Sequence, residues 1–278
     1  MNNVKYHFTD KIFVQINRLT GNFVPQGKNE FPVFDDKESF KITIDSAEIA
    51  ISADDLANLL NSYVFARKEA PLSAISIASM PNGSLKVKGR LRDKRNIPFE
   101  TVSKLSPTSD GKLRLHSDKV SALHVPVKGL MEAFGIEVGG LIKSGKVPGV
   151  TAEGNDLILD LGQILPPPHI DGKVTAVRVE ANSIIQTFGP ALKLDKKISG
   201  NYMWFQKNRL RFGRLTMDDT NLILLDLNPS DPLDFFLDHY KDQLAAGYTK
   251  ISPDFQLRVF VKDYDKLNLA KSPPSKTN

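Results

Sequence analysis

The 278-residue sequence contains no cysteine, which excludes disulfide bonds, thiolate metal ligands and cysteine nucleophiles together. It also has no run of about 18 apolar residues, the length that a membrane-spanning helix requires. Residues 1–22 lack the apolar segment of a signal peptide, so the sequence predicts none there. A leader removed ahead of residue 1 would leave the same chain, so the sequence does not determine the cellular compartment.

The common catalytic motifs are absent too. The sequence has no Gly-x-Ser-x-Gly elbow and no helical histidine pair around a glutamate. Segment 140–146 has the glycine and lysine spacing of a phosphate-binding loop, but Val147 follows it and offers no hydroxyl for magnesium. The segment also ends a predicted helix, so we interpret it as a helix C-terminus. We expect surface or structural roles for the histidines, which are His7, His116, His124, His169 and His239.

Acidic residues cluster at three places, two of them at predicted turns, where carboxylates bond the backbone. We therefore expect no metal site, no cofactor and no enzymatic activity. An enzyme that uses Asp218, Asp219 and His239 is the alternative that these clusters leave open. The clusters are Asp35–Asp36, Asp218–Asp219 with Asp226, and Asp263 with Asp265.

The residues that are present predict an ordered, strand-rich protein. Hydrophobic residues make up 41% of the chain and charged residues 25%, as in globular proteins generally. Alternating apolar residues predict strands at 41–51, 72–80 and 85–92, with a turn at 81–84. Between the first two strands, Ser52 and Asp55 predict a capped amphipathic helix over 52–65.

A similar order recurs about 73 residues later and predicts an internal duplication. Strand 112–125 would be followed by a helix over 127–142 and by a hairpin over 150–161. The fold class predicted is α+β, with a long curved antiparallel sheet wrapped on amphipathic helices and a duplicated strand–helix–hairpin unit.

Four regions follow from these patterns. Residues 1–39 are an N-terminal strand and loop, and 40–190 contain the duplicated units. Residues 191–267 complete the same fold with strands and a helix that begins at Pro232. Residues 268–278 are predicted to be a disordered tail.

Four cations alternate with apolar residues on the strand 85–92, so they share one of its faces. The net charge of +5 is mild, and its distribution matters more than its total. A solvated strand face explains the pattern, and a patch for anionic lipid headgroups is the functional alternative. No aromatic residues interleave with these cations, so nucleic acid is disfavoured as a partner. The cations are Lys86, Lys88, Arg90 and Arg92.

Residues 42–60, ITIDSAEIAISADDLANLL, followed by a hairpin of alternating strands, resemble the tubular lipid-binding (TULIP-like) proteins of bacterial cell envelopes. The resemblance covers about residues 40–188 and rests on pattern alone. It implies a curved sheet around a helix, an apolar groove for acyl chains, and a location in the cell envelope.

We therefore expect non-enzymatic binding or transfer of a lipid or other acyl ligand in an apolar groove between helices and sheet. The partners expected are that ligand and an anionic membrane surface. The alternative is a structural protein that pairs with a partner chain through its sheet edges. The groove residues predicted are Leu56, Leu59, Leu60 and Tyr63 on the first helix, and Leu130, Met131, Phe134, Val138 and Leu141 on the second.

Overall fold

The structure is a computed structural model that describes residues 1–92, 96–122, 147–190 and 198–267. Strands contain 53% of these residues and helical segments 12%. The protein is therefore built mainly from β-sheet, and the apolar faces of two sheets supply most of its core.

The larger sheet has eleven strands in the order β11-β12-β3-β2-β1-β13-β16-β19-β18, with β10 beside β3 and β17 beside β1. Most neighbours are antiparallel, and β1–β17, β3–β10 and β16–β19 are parallel. Its strands are β1 Asn2–Thr9, β2 Ile12–Pro25, β3 Phe40–Ser52, β10 His169–Asp171, β11 Val174–Glu180, β12 Ser183–Phe188, β13 Tyr202–Gln206, β16 Asn221–Asp226, β17 Leu233–Phe236, β18 Tyr248–Ile251 and β19 Leu257–Val261.

The smaller sheet has six antiparallel strands in the order β4-β5-β6-β7-β9-β8. On β5 and β6 every second residue is buried, so this sheet has one apolar inner face and one polar outer face. A separate hairpin joins β14 Leu210–Phe212 to β15 Leu215–Met217. The six strands are β4 Leu72–Ser79, β5 Leu85–Leu91, β6 Ile97–Pro107, β7 Leu113–Ala122, β8 Val150–Glu153 and β9 Asp156–Leu159.

The helical segments among the described residues are short. Helix α1, Ala53–Leu59, continues as a single π-helical stretch, Leu60–Val64. Helix α2 is Leu161–Ile164 and helix α3 is Tyr240–Ala245. Two 3-10 turns, Leu237–His239 and Tyr264–Lys266, complete the set.

The core lies between the inner faces of the two sheets, with α1 among its residues. Ile49 and Ile51 of β3 line one small cavity together with Leu59 of α1 and with Leu113 and Leu159 of the smaller sheet. The large sheet, the helix and the small sheet therefore share one continuous apolar interior.

The predicted fold class is wrong. The described residues form two sheets packed around a shared core, and the helices are too short and too few for a long sheet to wrap on them. The predicted duplication fails as well, because β3 and β7, its two leading strands, occupy different places. β3 lies in the larger sheet, away from its hairpin β4–β5, whereas β7 pairs directly with β9.

Several predicted strands and the first predicted helix are confirmed, and one predicted helix is wrong. Strands 41–51, 72–80 and 85–92 and the capped helix at 52–65 are confirmed as β3, β4, β5 and α1 with its π-helical extension. The helix predicted from Pro232 is wrong, because β17 occupies 233–236 and α3 begins only at Tyr240. The second predicted helix, 127–142, the segment 140–146 and the tail 268–278 lie outside the described residues.

Candidate functional site

Helix α1 is fixed at its first turn by the predicted cap. The Oγ of Ser52 accepts a hydrogen bond from the backbone N–H of Asp55 at 3.0 Å. Asp54 and Asp55 place negative charge in the first turn, where the helix dipole favours it. The cap therefore sets where α1 begins.

An apolar cavity of about 70 Å³ lies between α1 and the inner face of the smaller sheet, and we call it the α1 cavity. Leu56, Leu60 and Phe65 form its helical side. Strands β4, β5, β6, β7 and β9 supply the rest of its lining, which comprises Leu72, Ile75, Ile77, Leu85, Val87, Leu91, Phe99, Thr101, Leu105, Leu115, Ser117, Leu157 and Leu159.

The two polar side chains in this lining have partners of their own. The Oγ of Ser117 lies 3.0 Å from the Oγ of Ser103, and Thr101 Oγ1 donates to the Val102 carbonyl at 3.4 Å. A water molecule needs two to four polar partners to occupy a cavity stably. Since both hydroxyls already bond within the protein and every other lining side chain is apolar, the α1 cavity favours an apolar occupant.

A second apolar cavity, of about 30 Å³, lies toward the larger sheet. Leu56 of α1 and Leu159 of β9 line both cavities. These two side chains therefore contact both cavities.

The predicted groove residues on the first helix divide into two groups. Leu56, Leu59 and Leu60 are buried and line one or both cavities. Tyr63 is 41% exposed and lines neither cavity, because the π-helical stretch turns it toward solvent. The candidates on the second predicted helix, Leu130, Met131, Phe134, Val138 and Leu141, lie outside the described residues.

Sequence reasoning missed the strand side of the cavity. Leu85, Val87 and Leu91 alternate with cations on β5, and this alternation marks them as the inner face. Phe99 and Leu105 belong to β6, a strand that was not predicted at all. The alternation on β5 could have located Leu85, Val87 and Leu91. Phe99 and Leu105 could be located only after β6 was recognised as a strand.

A side-chain amide ties the π-helical stretch to β4. Asn61 Nδ2 donates to the Ile75 carbonyl at 2.7 Å, and the Ile75 N–H donates to Asn61 Oδ1 at 2.8 Å. The β4–β5 register shifts between Ser73 and Ser76, and Ala74 has a φ of 49°. The bulge leaves the Ile75 backbone without strand partners, and Asn61 satisfies both of its groups.

The cations of β5 do face solvent together, as the alternation predicted, but they have partners. Lys86 Nζ and Lys88 Nζ lie 2.9 and 3.1 Å from the two oxygens of Glu100 on β6, and they hold the pKa of Glu100 below its usual range. Arg92 donates to the Arg67 carbonyl at 2.6 Å, and Arg90 reaches the Asn96 carbonyl at 3.5 Å. Glu100 therefore offsets one of the four positive charges, whereas the carbonyl contacts orient the two arginines without neutralising them.

His7 lies in a buried charge cluster with Asp234 and Lys5. His7 is buried, and its Nε2 lies 2.7 Å from Asp234 Oδ1, although the ring is out of line for a hydrogen bond. Asp234 also binds Lys5 Nζ at 2.9 Å. Burial alone would raise the pKa of Asp234, but His7 and Lys5 together outweigh it and lower that pKa. This buried charge cluster joins β1 to β17.

The acidic residues that lie close together in the structure are not the ones that cluster in the sequence. Asp226, Asp231 and Asp263 place oxygens within 4.8 Å of one another. Lys266 Nζ lies 2.8 Å from both Asp231 and Asp263, and the two carboxylates raise its pKa. Burial raises the pKa of Asp226. The lysine ammonium thus supplies the positive charge that a metal ion would otherwise provide.

The alternative catalytic set has separate partners. Asp218 Oδ1 accepts from Arg209 Nε at 2.8 Å, at an exposed position after β15. His239 Nδ1 lies 3.1 Å from Asp242 Oδ2, and its ring stacks on Tyr264. None of these three residues, Asp218, Asp219 and His239, lines either of the two cavities around α1.

Comparisons with protein-family models, with curated proteins and with solved structures gave no match. Among the described residues no helix has both the length and the apolar character needed to cross a membrane. The site must therefore be interpreted from its own geometry.

Proposed function

We propose that this protein binds the apolar end of an acyl ligand in the α1 cavity. The supporting observation is a cavity whose lining is apolar except for two side chains that already have partners. An apolar group that enters it leaves water without breaking any protein hydrogen bond, and burial of apolar surface is worth about 25 cal/mol per Å².

The volume limits what fits without movement. About 70 Å³ is roughly half of the ~150 Å³ apolar cavity that accepts benzene, so a few carbon atoms fit the structure as it stands. A longer chain requires Leu56 and Leu159 to move and join the two cavities. We propose that an acyl chain enters in this way, end first.

The resemblance of residues 42–60 to the tubular lipid-binding proteins supports the same ligand class. Those residues form β3 and α1, the elements that position Leu56 beside the cavity. A cell-envelope location and contact with an anionic membrane surface are proposed on the ground of this resemblance alone.

The test is titration with a dansyl-labelled undecanoic acid, together with mass spectrometry of lipids extracted from the purified protein. Val87→Phe adds bulk inside the cavity, and we expect it to weaken binding about tenfold, at a stability cost of about 1–3 kcal/mol. Val102→Phe is the matched control, because Val102 lies on the other face of the adjacent strand β6. Equal binding by both variants, or no binding and no extracted lipid in the wild type, would overturn the proposal.

A further inference from the structure

The larger sheet has a gap beside the start of β1. β1 pairs with β13 only at Asn2, opposite Tyr202, and Met1 bonds Leu19 of β2. Beyond that point β2 and β13 continue, and in the described part of the chain no strand lies between them. Residues 19–23 of β2 and 204–206 of β13 line one cleft of about 440 Å³, which we call the β2–β13 cleft.

Backbone groups of both strands point into this cleft. The Gln26 N–H bonds the Ser39 carbonyl on the β3 side, so alternation back along β2 directs the N–H and C=O of Phe23 into the cleft. On β13 the Asn201 carbonyl and the Lys207 N–H bond the opposite neighbour, β16, or the turn beside it. The intervening Trp204 and Gln206 therefore face the cleft. Two strand edges with free backbone groups form a template for an added strand.

We propose that the β2–β13 cleft binds an extended peptide segment of a partner protein as an additional strand paired to both edges. β1 is antiparallel to both β2 and β13, so a peptide in line with β1 runs antiparallel to both edges. The span from Leu19 to Phe23 is about 13 Å, which fits four to five extended residues at ~3.4 Å each. This inference does not depend on the acyl ligand.

Charge at the far end of the cleft specifies the peptide further. The cleft lining contains two cationic side chains, Lys207 and Arg209, and no carboxylate side chain. Arg209 is engaged by Asp218 at 2.8 Å and lies over the ring of Phe31. Lys207 is exposed and has no ion-pair partner among the residues that the structure describes. In the antiparallel orientation the first residues of the peptide meet Lys207, so they should be acidic.

The chain contains its own probe, because its single tryptophan, Trp204, lines the cleft. We would titrate acetyl-Glu-Thr-Val-Thr-Val-Thr-amide and record Trp204 emission. A saturable change is expected. A peptide N-methylated at alternate residues cannot donate to one of the two edges and should bind about tenfold more weakly. A version with Lys in place of Glu should also be weaker, and more so at low salt.

Gln206→Pro tests the edge from the protein side. The Gln206 N–H faces the cleft and not β16, so proline removes a cleft donor and leaves the β13–β16 ladder intact. Peptide binding should fall about tenfold in this variant and stay unchanged in the matched control Gln206→Ala. Val87→Phe, which fills the α1 cavity, should leave peptide binding unchanged and so separates the two proposals.

Three results of the peptide titrations would overturn the inference. They are no saturable Trp204 change at millimolar peptide, equal binding of the N-methylated peptide, and equal loss in Gln206→Pro and Gln206→Ala. A concentration-dependent dimer that excludes the peptide would show that a second copy of this chain, and not a partner peptide, occupies the cleft. If Gln206→Pro fails to fold, the N-methylated peptide still decides the question.

Discussion

The side chains of Lys5 and His7 converge on one buried carboxylate, that of Asp234, which is 4% exposed. Asp234→Asn leaves the Lys5 ammonium without its buried counter-charge, and we expect the free energy of unfolding to fall by about 3 kcal/mol at pH 7. The folded-state pKa of Asp234 lies below the unfolded value of about 3.9. Its contribution is therefore present above that pH and is lost as the pH falls through the folded pKa. Urea unfolding at pH 7, 3.5 and 2.5 would measure how the difference in the free energy of unfolding between variant and wild type narrows with acid.

A surface ion pair nearby provides the control for this prediction. Asp238 binds Lys37 at 2.8 Å, but both side chains are well exposed. Asp238→Asn should cost less than about 1 kcal/mol, because solvent screens such pairs. Equal losses in the two variants, or a loss in Asp234→Asn that does not shrink with acid, would contradict the role assigned to the buried cluster.

At the scale of elements, Asn61 joins the π-helical stretch to the bulge of β4. Asn61→Ala removes both hydrogen bonds to the Ile75 backbone and leaves an N–H and a C=O unsatisfied. We expect a loss of about 1–3 kcal/mol in the free energy of unfolding. Ser62→Ala, at the next and exposed position, should change it by less than about 0.5 kcal/mol. Hydrogen exchange at Ile75 would measure the local effect, and unchanged protection in Asn61→Ala would contradict it.

The same elements show what the sequence could predict. β3, α1, β4 and β5 were predicted correctly because a cap and a strand alternation are local signals. β17 was predicted as a helix because its apolar residues also fit helical spacing. All four of its residues are buried beside β1, from which they are more than 200 residues distant in sequence, and this tertiary pairing overrides the local pattern.

The residues of the candidate site also divide into those that local signals predict and those that depend on non-local pairing. The helix side of the α1 cavity, Leu56 and Leu60, follows from helical periodicity within one segment. The strand side joins Val87 to Leu157 through β6 and β7. That order of strands depends on non-local pairing, which no single window of the sequence contains. The edges of the β2–β13 cleft are non-local for the same reason, since about 180 residues separate β2 from β13.

At the scale of the whole molecule, the shared core predicts that both sheets unfold together. Leu159 of the smaller sheet is 2% exposed and lines both cavities, whereas the single tryptophan, Trp204, lies in the larger sheet. Leu159→Ala should cost about 3 kcal/mol and should shift the unfolding midpoints of Trp204 fluorescence and far-UV circular dichroism equally. Leu215→Ala, at a 46% exposed position, should shift neither appreciably. A fluorescence midpoint that stays in place while the dichroism midpoint falls would mean that the sheets unfold separately, and the continuous core would then not couple them.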